Sequence, residues 1–197
     1  MSVKAELRKT IIAERKAIDN KQQISEDVFK LLSSSRLYVD ADVVFCYASL
    51  DDEISTDLLM KKVLADGKTL ALPYCVDDKG NMDFYYVESF DDLVSGMFGV
   101  REPNINKCEL AECPENAIII VPAMCFDEKG YRLGYGKGYY DRYLQNNTLI
   151  SVGLCYNSLV KKEIPHDSFD IPVDYIVTES QILACDDGGK NGLFKQQ

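Results

Sequence analysis

Residues 117–126 read AIIIVPAMCF, and the fold turns on them. Successive positions are apolar, so an extended segment here would bury both of its faces. A strand with one wet face would alternate instead. Only the interior of a parallel sheet, covered by helices on both sides, asks for a continuous run. Working outward, other strand-like runs appear at residues 42–50 (DVVFCYASL), 68–76 (KTLALPYCV), 149–156 (LISVGLCY) and 174–179 (DYIVTE). A shorter one at 83–88, DFYYVE, is expected at a sheet edge.

Helical patterns lie between these runs. Residues 2–18, SVKAELRKTIIAERKAI, carry Leu7, Ile11 and Ile18 on one stripe, which predicts an amphipathic helix. A second helix is expected near residues 25–35. A third follows the first strand within 51–67, DDEISTDLLMKKVLADG, with Thr56 able to cap its start and Gly67 able to end it. A fourth starts at YYDRYLQN, residues 139–146. Strands alternating with helices predict an α/β protein with a mainly parallel sheet. With no repeat, low-complexity stretch or linker, a single domain over 1–197 is expected. Its tail, 185–197, is rich in Gly and polar residues and is expected to be mobile.

Composition narrows the function. A formal net charge of −10 argues against a general binder of nucleic acid or of an anionic membrane surface. Any anionic ligand must therefore be met by a local group of cations. The seven cysteines have no framework spacing, and Cys108 and Cys113 with one distant His cannot complete a zinc site. A reducing, cytoplasmic setting is the simple expectation. No apolar run approaches the ~18 residues of a membrane span, and no signal peptide is evident.

Two features remain after this sorting. Lys4, Arg8 and Arg15 repeat the spacing of the apolar stripe about 60° around the first helix, at about 100° per residue, either as a solvated edge or as a row of anion contacts. Residues 132–143, RLGYGKGYYDRY, follow the most hydrophobic strand, where ligands bind in parallel α/β sheets. Gly134, Gly136 and Gly138 fit neither standard nucleotide motif. A dinucleotide fingerprint needs Gly at 139, which is Tyr, and a Walker loop needs Ser or Thr at 138, which is Gly. The underlying physics survives. Alternate glycines turn backbone N–H groups toward one point, a helix start adds partial positive charge, and Arg132, Lys137 and Arg142 add full charges. Asp141 could hold a divalent cation bridging phosphates. The competing reading is a tight turn with a capping Asp.

The stretch FDEKGYRLGYGKGYYDRYL, residues 126–144, resembles the signature of the 5-formyltetrahydrofolate cyclo-ligases, also called 5,10-methenyltetrahydrofolate synthetases. KAELRKTIIAERK (4–16) is similar to that family's first helix. YASLDDEISTDLLMKKVLADGKTLALP (47–73), GVREP (99–103) and HDSFDIPVDYIVTE (166–179) follow in the family's order. The resemblance implies a three-layer α/β/α sandwich. It also implies ATP- and Mg²⁺-dependent closure of 5-formyltetrahydrofolate to 5,10-methenyltetrahydrofolate, with release of ADP and phosphate.

Carried over by motif, Lys4 and Arg8 contact ATP phosphates, and Arg15 on the same face assists. Arg132 and Gly134, Tyr135, Gly136, Lys137, Gly138, Tyr139 and Tyr140 wrap the triphosphate. Of these, residues 135–139 also touch the folate, and Arg132 and Lys137 act in catalysis. Many relatives carry Gly at 137, so its Lys is a variant. Asp141 and Asp170 hold Mg²⁺, with Asp174 as the alternative to Asp170. Glu53 accepts hydrogen bonds from the pterin, although LDDE alone reads as an acidic turn before a helix. Ala48 lines the same pocket. His166, the only histidine, maps to no family role, and Cys125, with no adjacent His to pair with, reads as a thiol of the central strand.

The resemblance thus implies ATP and 5-formyltetrahydrofolate as small-molecule partners of a monomer or weak homodimer. Two competitors share the fold. One is a non-catalytic nucleotide- or folate-binding paralogue, which would lack some of Lys4, Arg8, Asp141 and Glu53. The other is a sugar-phosphate isomerase-like protein, which would not need the paired carboxylates. An acidic balance without an aromatic–basic run disfavours an RNA binder.

Overall fold

The computed structural model describes residues 2–185 of the chain. It opens with helices α1 (Val3–Lys16), α2 (Lys21–Ser34) and the short α3 (Arg36–Val39). Strand β1 (Val43–Phe45), helix α4 (Asp57–Ala65) and the hairpin β2 (Thr69–Cys75) and β3 (Met82–Val87) follow. A small β4 (Leu93–Ser95)–β5 (Arg101–Pro103) pair precedes β6 (Ala117–Val121), β7 (Cys125–Asp127), β8 (Arg132–Leu133) and helix α5 (Tyr139–Asn146). Strands β9 (Ile150–Leu154), β10 (Val160–Lys161), β11 (Tyr175–Val177) and β12 (Ile182–Ala184) complete the described chain.

The main sheet runs β12-β11-β9-β6-β1-β2-β3. Its five inner strands are parallel, with Val43 opposite both Thr69 and Ala117, and Ile118 opposite Ile150. The edges, β3 and β12, are antiparallel, as expected for DFYYVE. Every residue of β6 is buried, and each large aliphatic side chain so placed contributes ~1.5–3 kcal/mol. From β1 the chain crosses through α4 to β2 on one side. From β6 it crosses through α5 to β9 on the other. Right-handed crossovers in opposite directions place their helices on opposite faces, and the three-layer expectation holds. The order reverses between β1 and β6, opening a crevice at their carboxyl ends.

Several local expectations need correction. The run 117–126 is two strands, because Pro122 has no N–H with which to continue a ladder. After it, Cys125 and Phe126 join a second sheet, β10-β7-β8, pairing with Leu133 and Arg132. The second helix starts at Lys21, four residues before its first expected residue. Thr56 stands at the N-cap of α4 but makes no cap bond. Its hydroxyl donates to the Tyr47 carbonyl at 2.5 Å, tying the helix start to the end of β1. Gly67, at φ 72°, ends α4 as read. Cys185 is buried, and the rest of the expected mobile tail, 186–197, lies outside the described residues. Among the described residues no helix is long and apolar enough to cross a membrane, and Cys46, Cys75, Cys108, Cys113, Cys125 and Cys155 are free thiols.

Gly153 explains how the small sheet seats on the large one. A methyl group there would lie 2.4 Å from Cζ of Phe126, so the ring rests directly on the backbone of β9. We expect Gly153→Ala to lower stability by ~1–3 kcal/mol through overpacking, seen as a lower urea midpoint at unchanged slope. An unchanged midpoint would show that the ring has space to withdraw.

Candidate active site

A cavity of about 640 Å³ opens at the reversal point, within the ~300–1,000 Å³ usual for small-molecule sites. The loop after β1 contributes Tyr47, Ala48, Leu50 and Glu53. The segment after β6 contributes Pro122 and the continuous stretch 132–141. Lys4 and Arg8 come from α1 and Asp170 from the loop before β11. All the residues named as ligand, catalytic or metal contacts from the sequence, other than Arg15, Arg142 and the alternative Asp174, line this one space.

One end is charged. Ser2 caps α1 through its side chain, and Ile11 buries the apolar stripe, which turns Lys4 and Arg8 toward the cavity. Arg8 donates from Nε to the Gly134 carbonyl at 2.8 Å. Gly136 lies close below, where a methyl would sit 3.3 Å from the guanidinium. Lys4 bridges Asp167 and Asp170 at 2.7 and 2.6 Å. Arg132, its side chain only 5% exposed, donates to Asp141 and to the Ile171 carbonyl, both at 2.5 Å. Asp141 also accepts from the Ile171 N–H at 3.1 Å, which binds the start of α5 to the residue after Asp170.

The pairing sets the electrostatics. Burial acts against the charged forms of Lys4 and Asp170, but the bonds of Lys4 to Asp167 and Asp170, and those of Asp170 to Lys4 and the Asp167 N–H, outweigh it. The ammonium is held above its ordinary value and the carboxyl below. Burial draws the Arg132 guanidinium down against the pull of Asp141 and Asp170.

The glycine loop is braced from outside. Gly136 and Gly138 have φ of 98° and 73°, and Gly138 is the N-cap of α5. The β2–β3 turn docks against this loop. Lys137 Nζ donates to the Asp78 carbonyl at 3.2 Å and Tyr139 Oη to that of Asp77 at 2.5 Å. Arg142, read as a third cation for a ligand, faces away from the cavity. It donates to the carbonyls of Lys137 and Gly80 at 2.7 and 3.4 Å. Gly80 must be glycine here: φ is 102°, and a Cβ would fall 2.4 Å from the Lys137 carbonyl oxygen.

The other end is apolar with buried acids. Glu53 is 8% exposed and accepts from the Leu50 N–H at 3.0 Å. Burial raises its carboxyl, offset in part by that N–H and by Arg15. Tyr140, Tyr135 and Ala48 line this space with Tyr47, Pro73 and Met82. Glu102 and Cys75 are among the lining residues that escaped the sequence reading. Glu102, 3% exposed, accepts from the Cys75 N–H at 3.3 Å and lies where a Gly96 side chain would stand. Cys75 is pushed up to about 12 by burial and then by Glu102. The only signal was a Glu set between Arg and Pro in GVREP, which no spacing rule singles out.

Besides Arg142, four candidates stand outside the cavity. Asp174 accepts from Ser151 N and Oγ at 2.8 and 2.7 Å, joining β9 to β11. That structural duty leaves Asp170 as the second acid at the cavity wall. His166 stacks on Tyr131 with ring centroids 3.7 Å apart. Cys125 is a buried thiol in β7, pushed up to about 11 by burial. Arg15 is 4% exposed and stands behind the wall instead of beside Lys4 and Arg8.

Comparison with known proteins places this geometry. The model of the 5-formyltetrahydrofolate cyclo-ligase family matches residues 1–179. A probable 5-formyltetrahydrofolate cyclo-ligase of Caenorhabditis elegans is 28% identical, covering 93% of this chain and 96% of its own. The 5-formyltetrahydrofolate cyclo-ligase of Escherichia coli (strain K12) is 27% identical over 83% of this chain and 92% of its own. An NMR structure of Aquifex aeolicus 5,10-methenyltetrahydrofolate synthetase superposes with a TM-score of 0.82 at 34% identity, covering the whole of both chains. The chain belongs to the 5-formyltetrahydrofolate cyclo-ligase family.

Proposed function

We propose that this enzyme closes 5-formyltetrahydrofolate to 5,10-methenyltetrahydrofolate while converting ATP to ADP and phosphate in the cavity between β1 and β6. The observation that carries this reading is the polarity of that single space. Cations and a glycine loop fill one end, and a buried carboxylate in apolar surroundings fills the other. A triphosphate and a flat, donor-rich ring can thus meet in one chamber.

The chemistry explains the need for both. A formamide carbon is a poor electrophile, and its oxygen is a poor leaving group. Transfer of the γ-phosphoryl group to the formyl oxygen turns that oxygen into a phosphate. N10 then adds to the carbon, loses its proton, and phosphate departs. The protein's share is positioning and neutralisation of charge. Lys4, Arg8, Arg132 and the N–H groups of 134–140 bind the triphosphate. Arg132 and Lys137 oppose the charge growing on the transferred group. Glu53 accepts hydrogen bonds from the pterin's amino and ring N–H groups, while Ala48 and residues 135–139 line the ring.

Asp141 and Asp170 are hard oxygen donors at the cavity wall, each side chain 25% exposed. This suits Mg²⁺, which takes one or two carboxylates and completes its shell from phosphates and water. Bound there, it would neutralise phosphate charge. Lys4 and Arg132 would then exchange these carboxylates for phosphate oxygens.

The purified protein is expected to form product, followed by its near-ultraviolet absorbance, only with ATP, Mg²⁺ and 5-formyltetrahydrofolate together. Product without ATP, or none with all three, would sink the assignment. Asp141→Asn should lower turnover by at least ~10-fold and raise the Mg²⁺ concentration needed for half-maximal rate. An unchanged requirement removes Asp141 from the metal site.

Glu53 supplies a pH prediction. Its carboxyl is raised, so it gains its proton on acidification earlier than an ordinary glutamate, near ~4.3. The kcat/KM for folate should therefore fall on the acid side with an apparent pKa above that value, and Glu53→Gln should abolish this limb. The stability sign is opposite. A raised acid weakens folding as pH rises from its unfolded value through its folded value, so Glu53→Gln should be relatively more stable at neutral than at acid pH. A retained acid limb in the variant assigns the titration elsewhere.

A further inference from the structure

Arg15 is the third cation of the α1 stripe, yet it does not reach the cavity. It is 4% exposed, and each of its contacts leads to a different part of the chamber wall. Nη2 donates to the carbonyl of Ala123 at 3.1 Å, the residue after the wall residue Pro122. Nη1 donates to the hydroxyl of Tyr135 in the glycine loop at 3.4 Å. The guanidinium lies 6.0 Å over the ring of Tyr156, whose hydroxyl reaches the carbonyl of Glu53 at 3.3 Å and that of Asp52 at 3.5 Å.

This arrangement is a poor choice for stability alone. Among the described residues Nε of Arg15 is buried without an acceptor, and both a buried charge and an unmet donor oppose folding. An apolar side chain could fill the space without either cost. What the cation adds is a rigid, forked link across the back of the wall, between a loop residue and the turn that carries Glu53. It is also the one charged side chain that offsets the burial of Glu53. Lys4 and Arg8, by contrast, face the charged end.

We propose that Arg15 is a positioning residue for the folate half of the cavity, holding Tyr135 and the Glu53 turn in register, and that it takes no part in nucleotide contact. One helix would then serve both ligands, its first turns the triphosphate and its last turn the pterin. This inference rests on the proposed reaction.

The test compares Arg15→Met and Arg15→Lys with the unaltered enzyme, in steady-state kinetics and in calorimetric titration of 5-formyltetrahydrofolate without ATP. The Met variant should raise the folate KM and Kd by ~10-fold or more, and leave the KM for ATP within about threefold. The Lys variant keeps the charge but loses the fork. It should fold, as thermal melting will report, and show an intermediate folate defect. In a cycle with Glu53→Gln, the two changes should be less than multiplicative, because both act on one recognition contact. Equal rises in both KM values, a folate Kd unchanged in the Lys variant, or fully multiplicative effects would overturn the assignment. If the Met variant does not fold, the Lys variant alone decides by the same criteria. Failure of the unaltered enzyme to form product would instead overturn the reaction itself.

Discussion

A strand buried on both faces, as β6 is, needs a layer on each side, and the chain has only right-handed crossovers with which to build them. It satisfies that demand by leaving β1 and β6 in opposite directions, through α4 and α5. The reversal leaves the carboxyl ends of the two strands uncovered between diverging loops. The cavity is thus a consequence of covering the core. Its walls are the residues that follow these strands: Ala48 and Glu53 after one, Pro122 and the glycine loop after the other. Pro122 matters to both core and site, because it ends the ladder and releases the chain toward the second sheet.

Charge must then be managed within that space. The protein carries a net charge of −10, so the average field repels a triphosphate, but screening confines such fields to ~8 Å at physiological salt. Attraction has to be local, and the local cations must be stable before the ligand arrives. The structure meets this by pairing Lys4 with Asp170 and Arg132 with Asp141. Those acids are the groups proposed to hold the metal. On that proposal, a metal–nucleotide complex would exchange partners on both sides and leave no charge alone. Either ion by itself would break pairs that it cannot fully replace.

Much of this was legible in the residues. Continuous apolarity at 117–121 depends only on local periodicity and read correctly; of the α1 stripe, Leu7 and Ile11 pack on the core from the helix, while Ile18 lies past its end at Lys16. The glycine loop was legible because positive φ and cations leave a compositional trace. What escaped depends on register between distant segments. Arg142 and Arg15 look like further cations for a ligand. Their fate is set by the turn at Gly80 and by Tyr156, 62 and 141 residues away in sequence respectively (142 − 80 and 156 − 15). Thr56 has the right type for a cap, but the carbonyl of Tyr47 at the end of β1 competes for its hydroxyl. Glu102 became a wall residue only because the β4–β5 pair folds beside β2, and no local pattern in GVREP carries that information.

The same distances bear on how the site comes into being. Lys4 meets Asp170 across 166 residues and Arg8 meets Gly134 across 126, so the charged end of the cavity exists only once α1 has docked on the sheet. Contacts of such separation carry a loop-closure cost that local helix formation does not. The cations of α1 can meet their partners only once the segments that carry those partners have come together. A ligand that contacts α1, the glycine loop and the Glu53 turn together would bind only states in which the helix is docked, and by mass action would stabilise them.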